Sequence, residues 1–233
     1  MSKYHAQVDQ IRALLESKAN ADRAASMAAY MKDHFVYLGV SSPERAELFK
    51  AFKQAYKPSS ESDLLHLMDS LWQQPEREFQ YWAMSQWEAS RKLIGPEGAA
   101  FAAGLVLQKS WWDSVDWLAG NALCLYYKSR PAELDKVRWS WIEHPNMWMN
   151  RTAIIVQLKW KEQTRTDWLE EAILPHRQSK EFFHQKAIGW GLREYAKTDP
   201  QWVLDFVQQH ELKPLSVREA TKHLRYFLLG PTK

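Results

Sequence analysis

Two carboxylates and two indoles crowd into the run Trp111-Trp112-Asp113-Ser114-Val115-Asp116. Ser110 followed three residues later by Asp113 predicts a helix N-cap with an acidic N3 residue, which gives Asp113 a structural task. Asp116 has no such task. It falls four residues after Trp112, so on a helix the carboxylate and the indole share one face. A second charge, Arg151, lies in Met147-Trp148-Met149-Asn150-Arg151-Thr152-Ala153-Ile154-Ile155, a segment apolar on most sides. A cation there is costly unless it is paired or reaches solvent. Asp116 stands 35 residues earlier and is the obvious partner; a structural ion pair and a functional pair both fit that spacing. Further on, Lys186, Trp190, Arg193 and Lys197 are spaced 4, 3 and 4 apart, one continuous helical stripe. Three cations flanking an indole suit phosphates together with a base or sugar. The same stripe also fits a basic surface with Trp190 half in the core.

Other chemistries leave little trace. There is no HExxH, no phosphate-binding Gly-Lys-Ser/Thr loop, no GxGxxG and no His pair at metal spacing, so neither a metal nor a cofactor is expected. The eight His are scattered, and His184 and His223 read as ordinary surface or half-buried residues. The single Cys124 excludes a disulfide framework and reads as a small core residue suited to a reducing cytoplasm. No apolar leader opens MSKYHAQVDQIR, and the longest uncharged stretches hold 11 residues, too few to cross a bilayer. Charge is mild: residues 1–150 carry 17 Lys and Arg against 18 Asp and Glu, residues 151–233 carry 14 against 10. That excess hints only weakly at a polyanion partner.

The elements that must position these residues are helices. Gln7, Ile11, Leu14 and Leu15 begin one amphipathic stripe; Leu48, Phe52 and Tyr56 give another, as do Leu64, Leu67 and Leu71. Ser42-Pro43 predicts an N-cap with Pro at the first helical position, and Pro75, Gly95-Pro96, Arg130-Pro131, Pro145 and Lys213-Pro214 punctuate similarly. Short breaks between such helices leave no room for strands. The strings EREFQYWA, WWDSVDWL, NMWMNRTA, EFFHQKAI and SVREATKH begin at residues 76, 111, 146, 181 and 216, each 35 after the last. A period of that length with two helices per unit predicts an all-α chain, one domain over 1–233. Equivalent positions of stacked repeats fall in a row, so Tyr81, Asp116, Arg151 and Lys186 are expected along one concave face.

The quoted segments carry a resemblance. Residues 109–116, 146–154 and 180–197 are similar to the AlkD family of bacterial alkylpurine DNA glycosylases, with Tyr30-Met31-Lys32 and Ser42-Pro43-Glu44-Arg45 matching its N-terminal pattern. Membership implies a right-handed α-solenoid of about six HEAT-like repeats whose concave face cradles duplex DNA. It implies excision of cationic N3- and N7-alkylated purines, leaving an abasic site. By motif position Trp112, Asp116 and Arg151 form the catalytic trio, Trp190 lies beside the lesion, and Tyr30 is a weaker match. Lys186, Arg193, Lys197 and Arg45 are expected to meet DNA. Ala46 departs from the pattern, where a second basic residue would follow Arg45. The resemblance also implies a monomer acting in the bacterial cytoplasm, at the nucleoid through its DNA. The same fold could instead serve a non-catalytic DNA-binding or protein-binding scaffold.

A 7-alkylguanine or 3-alkyladenine already carries a positive charge, so its leaving base needs no general acid. The enzyme must stabilise an oxocarbenium-like sugar and place a water, and the resemblance assigns both tasks to Asp116. Trp112 and Trp190 would face the cationic nucleoside. Arg151 would orient Asp116 and reach a phosphate. An open face offers no deep pocket, so the lesion is not expected to be extruded into one. Of the 13 Trp, Trp112 and Trp190 belong to this face, with Trp111, Trp117 and Trp148 packed behind it. Trp72, Trp82, Trp87, Trp139, Trp141, Trp160, Trp168 and Trp202 are expected between stacked helices.

Overall fold

A computed structural model describes residues 4–224, which divide into two compact units with the division after Phe101. Among the described residues no strand forms; Val36 and Glu76 make an isolated parallel bridge. The first unit holds α1 (His5–Glu16), α2 (Ala21–Tyr30), α3 (Ser42–Ala55), α4 (Glu61–Trp72) and α5 (Arg77–Ser90), and the division falls inside α6 (Pro96–Leu105). The apolar stripes read from the sequence are its core: Ile11, Leu15, Leu48, Phe52, Leu64, Leu67 and Leu71 are buried, with Trp72, Phe79 and Trp82 among them. α1 packs on α3 and α4, and α5 on α3 and α4. The cap of α3 is one residue earlier than expected: Ser41 flanks the helix, its N–H and hydroxyl donating to Glu44, and Ser42 and Pro43 are already helical.

The loop between α2 and α3 is fixed from beneath by a wholly buried carboxylate. Glu78 Oε1 accepts the Gly39 and Val40 N–H groups at 2.9 and 3.2 Å, and Oε2 accepts Leu38 N–H at 3.1 Å. Gly39 has φ of +81°, and a Cβ there would lie 2.0 Å from the Asn20 carbonyl oxygen, so glycine is required by both conformation and space.

The second unit carries α7 (Trp112–Trp117), a π-helical segment (Leu118–Leu123) and α8 (Cys124–Lys128) as one unbroken helical run. After it come α9 (Pro131–Ile142), α10 (Met147–Ile155), α11 (Thr166–Ile173), α12 (Phe182–Tyr195), α13 (Pro200–Gln209) and α14 (Pro214–Ala220). α10 is central: it packs on α7, the π-helical segment, α9, α11 and α12, and α12 packs along α14. The 35-residue period has a physical basis beyond apolar spacing. Gln80 Nε2 donates to the Trp72 and Gln74 carbonyls, and Asn150 Nδ2 donates to those of Trp141, Ile142 and His144. Each amide closes the turn that precedes its own helix by taking up carbonyls left unpaired where the previous helix ends. Gln185, one period after Asn150, donates to Ser179 and Lys180 in the same way.

Most tryptophans expected between helices are there: Trp72, Trp82, Trp87, Trp141, Trp160 and Trp168 are buried, and Trp202 is half-buried. Trp139 is not; it is 44% exposed on α9, where the neighbouring Trp141 points inward instead. Cys124 is buried, and its carbonyl accepts the Trp160 indole N–H at 3.0 Å. No helix among the described residues is long and apolar enough to cross a membrane.

Candidate active site

Asp116 lies one turn into α7 and Arg151 one turn into α10, helices that pack directly. Their side chains meet in a two-point pair: Arg151 Nε donates to Asp116 Oδ1 at 2.7 Å and Nη2 to Oδ2 at 2.8 Å. Arg151 Nη1 donates to the Phe183 carbonyl at 2.7 Å, so α12 braces the guanidinium from a third side. The arginine side chain is 5% exposed and the aspartate 20%. The guanidinium is therefore the more deeply buried partner, and the aspartate side chain keeps partial exposure to solvent. All three nitrogens of Arg151 thus make a bond inside the fold, two of them to Asp116.

Aromatic packing sets this geometry. Trp111, Trp148 and Phe183 form a cluster with ring centroids 4.7 to 5.8 Å apart, mostly edge to face. Trp111 and Trp148 thus pack on Phe183, the ring that also meets Arg151. Arg151 lies over the rings of Phe183 and Trp190, at 5.8 and 6.0 Å. Trp112, at the first residue of α7, and Trp190 on α12 are both half-buried. The start of α7 departs from the expected cap. Lys109 adopts φ of +50° and turns the chain, and the Ser110 hydroxyl donates back to the Val106 carbonyl, leaving Trp111 as the residue that flanks the helix. His184 is more buried than expected; its Nδ1 pairs with the Ser179 hydroxyl and its ring lies against His176, and burial pushes its pKa down.

Lys186, Trp190 and Arg193 lie along α12, but the helix ends at Tyr195, so Lys197 falls in the turn beyond it and the expected stripe is one cation shorter; the cations are already paired. Lys186 Nζ and Arg193 Nη1 both bind Glu219 of α14, at 2.9 and 2.6 Å, and Lys197 Nζ binds Glu194 at 2.6 Å. Nothing in the sequence period pointed to Glu219, because the register position is Thr221, just past the end of α14. The hydrogen bond from Lys186, supported by Arg193, holds the Glu219 carboxyl below its ordinary value of 4.5 against the opposing effect of burial. A carboxylate depressed in this way contributes stability that is fully present above its unfolded-state value and is lost as pH falls through the folded one. Denaturant titrations at stepped pH should show wild type losing stability below pH 4.5 more steeply than Glu219→Gln. Parallel curves would remove these ion pairs from the acid limb.

Tyr30 and Arg45 belong to the first unit. Tyr30 closes α2 and is 69% exposed. Arg45 is half-buried, donating to the Val40 carbonyl at 2.6 Å and lying 4.6 Å over the Tyr81 ring. A cavity of about 280 Å³ opens between the C-terminal parts of α10 and α12, lined by Ile154, Leu158, Gly191 and Lys197 among others. Neither Asp116 nor either tryptophan of the candidate site lines it. Among the described residues no group of three His, Cys, Asp or Glu side chains gathers where a metal could be held.

Residues 11–224 match the DNA alkylation repair enzyme family, and the chain belongs to that family. It is similar to a predicted DNA alkylation repair enzyme from Enterococcus faecalis, with 36% identity and a TM-score of 0.84 over 89% of this chain and 97% of that one. The all-α fold is shared with that structure, and the family places this protein in the repair of alkylated DNA. No match to a curated protein is found.

Proposed function

We propose that the protein is a monofunctional DNA glycosylase that hydrolyses the N-glycosidic bond of cationic alkylated purines, 7-alkylguanine and 3-alkyladenine, in duplex DNA. The observation that carries this reading is the braced Asp116: a carboxylate fixed by a two-point guanidinium, still partly exposed, with Trp112 on the same helical face. As the C1′–N bond breaks, its electron pair neutralises the cationic base, which departs without protonation. Positive charge moves to the sugar, and Asp116 stabilises it there while holding the water that adds to C1′. The water's proton passes to the carboxylate, and an abasic site remains. Trp112 and Trp190 hold the cationic base by their π faces, an attraction worth roughly 0.5–2 kcal/mol each that fades as the base becomes neutral. Arg151 acts by orienting Asp116. Preorganised charge of this kind supplies most of its help in the transition state, because no reorganisation accompanies the reaction.

The test incubates duplex DNA carrying 7-methylguanine with the protein and cleaves abasic sites with alkali. Release of base is the expected result. Absence of release alongside duplex binding would leave a non-catalytic scaffold. Because this reading places the reaction on an open face and needs no extrusion of the base into a pocket, adduct size is not expected to limit the reaction. Small and bulky N7 adducts should therefore be excised at comparable rates, and strict limitation to methyl groups would refute that part of the reading.

A further inference from the structure

The stripe on α12 is arranged around an acid that no part of the proposed chemistry uses. Glu219 is seated unusually close to α12. A Cβ on Gly189 would fall 2.4 Å from Glu219 Cβ and 3.1 Å from the Ser216 carbonyl oxygen, and the buried Ser216 hydroxyl donates to the Gln185 carbonyl at 3.1 Å. The absent side chain of Gly189 is what admits α14 to this depth. From there the carboxylate spans two turns of α12, binding Lys186 through Oε1 and Arg193 through Oε2, with Trp190 between those two residues in the sequence of the stripe. Its side chain is 15% exposed, against 37% for Lys186 and 21% for Arg193, so the acid lies beneath the cations. Arg193 Nη1 also reaches the Glu219 carbonyl at 3.4 Å; Lys186 retains further N–H donors, and Arg193 those of Nε and Nη2. Lys197 is balanced separately by Glu194.

Taking the α12 face as the DNA surface, we propose that Glu219 is a specificity-determining residue that acts through Lys186 and Arg193. It fixes their outer donors for a phosphate seated beside Trp190, and it cancels one of their two charges so that undamaged duplex is held weakly. Binding to ordinary duplex is driven by the number of phosphates neutralised, whatever the sequence. A bare pair of cations would grip any backbone passing Trp190. With Glu219 beneath them, one net charge acts at this level, and close donor geometry counts for more than charge. The acid thereby trades affinity for undamaged DNA against discrimination.

Fluorescence-anisotropy titrations of an undamaged duplex over a series of salt concentrations test this with wild type, Glu219→Gln and Glu219→Asp. Glu219→Gln is expected to bind several-fold more tightly, with the slope of log K against log salt steeper by about 1. Glu219→Asp keeps the charge with a shorter reach and is expected to keep the wild-type slope. A further readout is the ratio of 7-methylguanine release with and without excess undamaged competitor, which should fall more for Glu219→Gln than for wild type. An unchanged or shallower slope in Glu219→Gln would overturn the proposal and reduce Glu219 to a packing contact. Wild-type protein that binds no duplex would overturn it together with the reading of the face, so the two failures give different data.

Discussion

Asp116→Asn should lower the excision of 7-methylguanine by about 100- to 1000-fold while duplex binding is retained, the scale lost when one preorganised electrostatic group is removed from a reacting centre. The substitution keeps the shape of the side chain, and Arg151 can still donate to the remaining oxygen. What disappears is the full negative charge toward which the sugar's positive charge develops, and the oxygen that would accept the water's proton. A structural cost accompanies this, because Arg151 is 5% exposed and loses one of two partners on Asp116. Leaving a buried charged donor unsatisfied costs about 1–3 kcal/mol. Two measurements separate the effects. The thermal transition reports the stability loss, and single-turnover release at saturating enzyme, below that transition, reports the chemistry. Release by Asp116→Asn within a few-fold of wild type would remove Asp116 from the reaction, whatever its effect on stability.

Glu78→Ala should be strongly destabilising to the first unit. The carboxylate is wholly buried and is the acceptor for three consecutive backbone N–H groups, those of Leu38, Gly39 and Val40. Each buried N–H left without a partner costs about 1–3 kcal/mol, so a loss of about 3 kcal/mol or more is expected. The loop has few alternatives. Gly39 is held at φ of +81° against the Asn20 backbone, and its carbonyl already accepts Arg23 Nε at 2.7 Å. For a chain of this length the thermal transition should fall by about 6 °C or more, read by calorimetry. A change below about 1 kcal/mol would mean that the loop finds new acceptors or water on its own. Because Glu78 lies outside the proposed chemistry, the folded variant should release 7-methylguanine at wild-type rates below its transition.

The pairing of Asp116 with Arg151 was legible in the sequence because two facts coincided: a lone cation in an apolar helix, and a carboxylate one period earlier in the same register. The buried tryptophans and Cys124 were legible from apolar spacing. Other features gave no signal in the apolar spacing. The amide side chains that close the turns, Gln80, Asn150 and Gln185, occupy the same place in three of the aligned strings. Val115 interrupts the series, and hydrophobic patterning does not weigh amides. Glu78 sits between Arg77 and Phe79 at the start of α5, and only the fold of a distant loop supplies its three donors. Ser110 has the residue type of a cap, but the left-handed turn at Lys109 redirects it to Val106. Lys186 and Arg193 share a face of α12 as their spacing requires, but the helix ends before Lys197, and the pairing of the first two depends on Glu219, brought there by helix packing at Gly189 and not by sequence proximity.

The π-helical segment Leu118–Leu123 has a consequence for how the site and the core are joined. Within it the Cys124 N–H reaches back five residues, to Ala119, where an α-helix would reach back four. Upstream of it, Trp112 and Asp116 face the candidate site; downstream, Cys124, Tyr126 and Tyr127 are buried. One residue of an α-helix corresponds to about 100° of rotation about its axis. The wide turn therefore acts as a phase shifter between two stretches of one helical run, letting each keep its own orientation. Shortening the segment by one residue would preserve the composition of both stretches and swing the carboxylate away from its guanidinium. Length at this point, as much as residue type, determines where the charge of Asp116 is aimed.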